Sequence, residues 1–165
     1  MGILNVTPDS FSDGGRFNDV GHAVAQAMRM AEEGADIIDI GAESTRPGHE
    51  PISASTEIAR LIPVLEALRG RITCPISVDT MKAPVAEAAL ANGATIINDV
   101  WGFKRDPRLA PLAAKHRAAV VLMHNRETID PTINIVDDML RFLDASLKEA
   151  LAAGVSRDVI ALDPG

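Results

Sequence analysis

The stretch Pro75-Ile76-Ser77-Val78-Asp79-Thr80-Met81-Lys82-Ala83-Pro84-Val85-Ala86-Glu87-Ala88-Ala89-Leu90-Ala91-Asn92-Gly93-Ala94-Thr95-Ile96-Ile97-Asn98-Asp99 reads as one strand–helix–strand unit. Its two apolar runs, Pro75–Asp79 and Ala94–Asn98, have strand length and lack period-2 alternation, as strands buried on both faces of a parallel sheet do. Between them lies an alanine-rich helix, Pro84–Ala91. Thr80 and Ala83-Pro84 mark its entry, where a missing proline N–H costs nothing. Gly93 stands where a left-handed residue ends a helix. Both strands finish on a polar side chain, Asp79 and Asn98.

The unit repeats in both directions. Further strands are expected at Met1–Asn5, Asp36–Ile40, Ala119–Met123 and Val159–Asp163, and further helices at Val20–Glu33, Thr56–Arg69, Pro107–His116 and Val136–Ala153. Asp106 is placed to cap a helix opened by Pro107, and Gly34 and Gly154 follow helices as Gly93 does. Six strands and five crossovers imply a parallel α/β fold with right-handed connections. A (β/α)8 TIM barrel and an open doubly wound sheet compete. Neither G-x-G-x-x-G nor G-x-x-x-x-G-K-[ST] occurs, which removes the nucleotide-binding support for the open sheet. A polar group ends or follows every strand: Asn5, Asp39 with Glu43, Asp79, Asn98 with Asp99, His124 and Asp163. A barrel gathers all its strand ends at one mouth, whereas an open sheet uses its switch point. The pattern favours the barrel, of which residues 1–165 supply about six βα units as a single domain.

Composition narrows the function classes. The chain has 165 residues, 47% hydrophobic and 24% charged, enough for a real core. Its 16 basic and 23 acidic side chains give a net charge of −7, which argues against a nucleic-acid partner held on a general basic surface. Aromatics are 3% with no tyrosine, so base-stacking platforms are not expected. The single Cys74 forms no intramolecular disulfide, and with no secretory signal this leads to an expected cytoplasmic setting. No apolar run approaches the roughly 20 residues that span a bilayer, so no membrane partner is expected.

The long βα loops, Thr7–Asp19, Glu43–Ser55 and His124–Ile135, are the irregular stretches, and the first two would overhang the mouth. In the first, Asp13 and Phe11 could close over a substrate; an ordinary surface turn is the plainer reading. In the second, Arg46 offers a planar fork of donors for phosphate or carboxylate, or it is a solvated surface arginine or a partner of nearby Glu43. Asp79, Asn98 and Asp163 should emerge at the same level of the mouth. A partly buried carboxylate such as Asp79 or Asp163 needs donors, and a 2-amino-4-oxo-pyrimidine edge supplies adjacent N–H groups, with Asn98 able to donate and accept beside it; loop amides or Lys82 would serve equally. Asn5 could give Mg²⁺ a single oxygen contact, with water and phosphates completing the shell, or be structural. Val100 and Met123 read as apolar walls. His124 reads as a ligand, a base or simply a bonded neighbour, Lys82 as a surface residue at a helix start, and Cys74 as packing. No zinc spacing and no G-x-S-x-G elbow occur.

Several motifs together resemble the dihydropteroate synthase family. Ile3-Leu4-Asn5-Val6-Thr7-Pro8-Asp9-Ser10-Phe11-Ser12-Asp13-Gly14-Gly15 is similar to its first signature and Glu43-Ser44-Thr45-Arg46-Pro47-Gly48 to its second. Ile76–Thr80, Ile96–Val100, Leu122–His124 and Leu162–Gly165 follow in family order. The resemblance implies a transferase of folate biosynthesis, joining 6-hydroxymethyl-7,8-dihydropterin diphosphate to 4-aminobenzoate with release of diphosphate. It implies a dissociative reaction, in which the C–O bond to diphosphate breaks before the arylamine attacks. By the same resemblance Asp79, Asn98 and Asp163 bind the pterin, with Val100 and Met123 as walls, and Asn5 contacts Mg²⁺. Thr45 and Arg46 hold loop and phosphate groups, Asp13 sits near the developing cation, and Phe11 and Pro47 wall the aminobenzoate pocket that sulfonamides also enter. A homodimer is implied for the full-length protein.

Two other readings stand beside it. Pterin-binding methyltransferases share the strand-end Asp and Asn residues but would not need the Ser-Thr-Arg-Pro-Gly and Phe-Ser-Asp-Gly-Gly loops. A non-catalytic pterin-binding remnant is the third. The family's later Ser-Arg-Lys and Arg-x-His motifs do not occur in these 165 residues, and a closed barrel needs about 250. The isolated chain is therefore expected to be incomplete at its C-terminus and inactive alone.

Overall fold

The computed structural model describes residues 1–7, 16–44 and 50–165, and of residues 16–19 the backbone alone. Strands β1 (Gly2–Asn5), β2 (Ile38–Gly41), β3 (Ile76–Asp79), β4 (Ile96–Asp99), β5 (Ala119–Met123) and β6 (Ile160–Asp163) alternate with helices α1 (Arg16–Glu32), α2 (Ala54–Leu68), α3 (Ala83–Ala91), α4 (Leu109–His116) and α5 (Ile135–Ala153). The strands form one six-stranded sheet in sequential order, parallel at every pairing. A doubly wound sheet reverses its strand order at a switch point; this one never does. Each helix packs against the next in sequence, so all five lie on one face, as right-handed crossovers of constant direction require.

The sheet curls away from those helices. Asn98 on β4 donates to Asp39 on β2 at 3.0 Å, across the whole of β3. In a flat sheet the two backbones would lie about 10 Å apart, too far for two short side chains to meet. The opposite, convex face carries Leu4, Ile40, Val78, Ile97, Val120 and Leu122, all buried under the helices. This α/β architecture is six consecutive strands of a TIM-type barrel.

Local chemistry sets the element ends. Ser53 accepts from Thr56 N at 3.1 Å and caps α2, while Asn134 caps α5 through Val136 N and Asp137 N. Gly34, Gly93 and Gly154 end helices at φ +98°, +103° and +97°.

Three expectations need correction. Helix α1 starts at Arg16, so residues 16–19 belong to it and not to the preceding loop. Helix α4 starts at Leu109, with Pro107 and Arg108 in a turn. Asp106 instead accepts from Ala83 N at 2.8 Å and Arg108 N at 3.1 Å, fastening the entry of α3 to the turn before α4. Finally, burial on both faces holds for β2, β3 and β4, while β5 alternates between half-buried and buried residues. On β1, Ile3 is 63% exposed and Leu4 1%, because β1 and β6 each have a single neighbour.

Candidate active site at the barrel mouth

Period-2 alternation sends Asn5, Asp39, Gly41, Ser77, Asp79, Asn98, Met123 and Asp163 to the concave face. Hydrogen-bonded register aligns Asn5, Gly41, Asp79 and Asn98 in one row and pairs Met123 with Asp163. Barrel strands tilt by roughly 36°, so residues at equal height are offset by about one position per strand. The Asp39–Asn98 bond fixes the direction of that offset, since Asp39 lies two positions before Gly41. The same rule carries Asn98 to Asp163, two strands further on. Asp39, Asn98 and Asp163, from alternate strands, therefore form one layer. Asp79 and Met123 form the next, one position nearer the mouth, and Asn5 lies two positions beyond. The three strand-end residues expected at a common level occupy two interleaved layers.

The layers present hydrogen-bond acceptors. Asp39 is buried, and its Oδ1 has no partner among the described residues. Among the described residues, Asp163 accepts only from the nearby Gly165 N, at 2.9 Å. No described residue donates to the Asp79 carboxyl. Burial, then the neighbouring Asp39, Glu57, Asp99 and Glu43 charges, push it from 3.8 up to about 7. A carboxyl held so far from its ordinary range among other acids marks a place for a donor-rich ligand.

Asp99, next to Asn98, points the other way. It accepts from Trp101 N at 2.9 Å and Phe103 N at 2.7 Å, and its pKa is raised because burial outweighs those two bonds. They hold two successive left-handed residues, Gly102 (φ +53°) and Phe103 (φ +69°), with the Phe103 ring buried in the core. This turn carries Val100, which is half-buried beside the β4 end. Met123 is half-buried on the lumenal side.

Lys82 is not a loose surface residue. Its ammonium donates to Glu43 at 2.8 Å, Glu57 at 2.9 Å and the Ile52 carbonyl at 2.7 Å. Burial pulls its pKa down, but these two carboxylates outweigh that and raise it. Glu43 is thus paired with Lys82. His124 points outward to α5, where Nε2 lies 3.2 Å from Asp138 and the ring meets Phe142 edge-on at 5.2 Å; it bonds a neighbour, as its plainer reading had it. Cys74 is a half-buried free thiol.

Asp13, Phe11, Thr45, Arg46 and Pro47 lie outside the described residues. Asp39 and Glu57 were missed as site residues. For Asp39 the usable signal was an acid inside Ile37-Ile38-Asp39-Ile40, two positions before a strand-end glycine. Among the described residues no group of three or more His, Cys, Asp or Glu could hold a metal ion. Asn5 is exposed, and an ideal Cβ on Gly41 would lie 3.7 Å from its Oδ1 and 3.2 Å from Asp79 Oδ2. A lone amide oxygen of this kind fits a Mg²⁺ that keeps water and substrate oxygens, and does not fit a cation caged by protein alone. No helix among the described residues is long and apolar enough to cross a membrane.

Comparison with known proteins agrees with this geometry. The chain is 50% identical over 165 residues to the dihydropteroate synthase of Clostridium beijerinckii, covering 100% of this chain and 61% of that protein. The structure of a dihydropteroate synthase from Clostridium difficile in the presence of pteroic acid superposes with a TM-score of 0.96 at 47% identity, over 100% of this chain and 63% of that one. The Xanthomonas albilineans dihydropteroate synthase with 4-aminobenzoic acid gives 0.94 at 45% identity, over 100% and 60%. The chain thus spans about three-fifths of the length of these relatives. The profile of the pterin binding enzyme family matches residues 1–165 throughout, and the chain belongs to that family.

Proposed function

We propose that the protein carrying this chain is a dihydropteroate synthase, which joins 6-hydroxymethyl-7,8-dihydropterin diphosphate to 4-aminobenzoate and releases diphosphate. The observation that carries this reading is the stack of lumenal acceptors, Asp39, Asn98 and Asp163 with Asp79 above them. It matches the N–H donors of a 2-amino-4-oxo-pyrimidine, two of which suit the two oxygens of one carboxylate. In this reading Asp79, Asn98 and Asp163 hold the pterin head, with Val100 and Met123 against its faces. Bound so, the pterin directs its substituent toward Asn5. Mg²⁺ held there with the substrate's oxygens would neutralise charge on the leaving diphosphate. Thr45 and Arg46 serve the phosphate end, Asp13 the developing cation, and Phe11 with Pro47 the aminobenzoate. The chain's contribution is mostly positioning and electrostatics, as a dissociative step requires.

The test is direct. The protein as its gene encodes it, purified with Mg²⁺ and both substrates, should yield dihydropteroate detectable by mass spectrometry. A well-folded preparation that yields none overturns the reading.

The Asp79 carboxyl also gives the binding step a pH signature. Without ligand it titrates at about 7, and two N–H donors would favour its ionised form and lower that value. Pterin binding at about pH 6 should therefore release close to one proton, and at about pH 8.5 almost none. Affinity should fall as pH drops below 7. Calorimetry in buffers of different ionisation enthalpy counts the proton; an equal count at both pH values would contradict the assignment of Asp79.

A further inference from the structure

Lys82 sits just before α3, and no part of the proposed reaction uses it. Each of its three ammonium protons has an acceptor, and the acceptors come from different parts of the chain: Glu43 just after β2, the Ile52 carbonyl just before α2, and Glu57 in the first turn of α2. Glu43 turns its second oxygen to Ile52 N at 2.8 Å, so Ile52 is tied through both its N–H and its C=O. Arg60 on α2 reaches back to the Ala42 carbonyl at 3.1 Å. The two ends of the connection between β2 and α2 are thus fastened to each other and to the root of α3.

The arrangement is costly unless it is needed. Glu57 is 1% exposed, and its Oε1 has no partner among the described residues. Two buried carboxylates against one ammonium do not improve on an apolar filling of the same space, and removing the ammonium would leave both acids unpaired. A surface connection of this length does not require such a fastening for its own stability.

We propose that Lys82 is a positioning residue for the second βα connection. It clamps residues 43 and 52 to each other and to the root of α3, which fixes the two points between which Thr45 and Arg46 lie in the sequence. Lys82 itself touches no substrate. The proposal rests on the functional reading above in one respect: Thr45 and Arg46, between the clamped ends, are taken to serve the phosphate end of the substrate.

The test uses the whole protein with Lys82→Met and Lys82→Arg. In Lys82→Met the KM for the pterin diphosphate should rise about tenfold or more, while the affinity for a pterin lacking diphosphate stays within about threefold. Lys82→Arg, which can still bridge two carboxylates, should recover most of the loss. An equal loss for both ligands, or no loss for either, overturns the proposal. Hydrogen exchange supplies a readout that does not depend on activity. The Ile52 amide should exchange about tenfold faster or more in Lys82→Met, with the β3 and β4 amides unchanged. Unchanged exchange at Ile52 overturns the clamp even in an active enzyme. Faster exchange in a protein that makes no dihydropteroate upholds the clamp and overturns only the reading of its purpose. Should Lys82→Met fail to fold, Glu57→Gln leaves Lys82 its other acceptors, and the same selective shift is expected at smaller size; its absence there overturns the proposal.

Discussion

Replacing Asp79 with asparagine is expected to weaken pterin binding by about 100-fold or more and to leave the unliganded protein at least as stable as before. The first effect follows from the acceptor count. A carboxylate takes two N–H donors in parallel, and hydrogen bonds to a charged group contribute about 1.5–3 kcal/mol each. Asparagine keeps one acceptor and sets its own N–H₂ against the ligand's second donor. The second effect has the opposite sign because Asp79 is strained when empty. Burial and then Asp39, Glu57, Asp99 and Glu43 raise its pKa from 3.8 to about 7. The stability that comes with its proton is fully present below 3.8 and lost as pH rises through 7. Above that, an uncharged residue removes a penalty. Calorimetry of pterin binding, with thermal unfolding at about pH 8, separates the outcomes. Unchanged affinity would take Asp79 out of the site. Affinity and stability lost together would make it a structural residue.

The second large effect is expected at Gly102, where alanine should destabilise the fold by about 3 kcal/mol. Gly102 has φ +53°, and an added Cβ would stand 2.7 Å from Ser146 Oγ, 2.8 Å from Phe142 Cε1 and 3.3 Å from the Met123 carbonyl. The left-handed backbone costs a side chain roughly 1–2 kcal/mol, and forcing extra atoms into a packed contact typically adds about 1–3. The neighbours have little room to give: Phe142 packs on His124, and Phe103 beside Gly102 is already left-handed and buried. Chemical denaturation measures the loss, and a change under about 1 kcal/mol would mean the turn re-forms freely. Because this turn carries Val100, proposed above to lie against the pterin, a partly folded Gly102→Ala protein should also bind pterin less tightly.

Much of the architecture was legible in the chain itself. Apolar runs closed by Asn5, Asp79, Asn98 and Asp163 carried the parallel topology, and a polar ending at every strand separated the barrel from an open sheet. What escaped was long-range and electrostatic. Lys82 looks like any lysine at a helix start, because its partners Glu43 and Glu57 stand 39 and 25 residues away. Asp39 sits among isoleucines, and only the curl of the sheet brings it to Asn98. Asp106 misled because its neighbour Pro107 pointed to α4 alone, while one of the two amides it satisfies, Ala83 N, belongs to α3. The stagger of the layers is likewise invisible to a reading that places each strand end separately.

That stagger also gives the mouth a direction. The lumenal carboxylates, Asp39, Asp163 and then Asp79, lie deep. The acids nearer the rim are partly offset, since Glu43 and Glu57 share the single ammonium of Lys82. Asn5, outermost, carries no charge and stands about 5 Å along the axis from the Asp79 layer. A molecule with a donor-rich head and an anionic tail meets this gradient as a one-way entrance. Tail-first entry would set like charges some 6 Å apart, at a cost of about 3 kcal/mol for each pair. On the proposed function, this charge gradient alone would orient the pterin diphosphate before any loop engages.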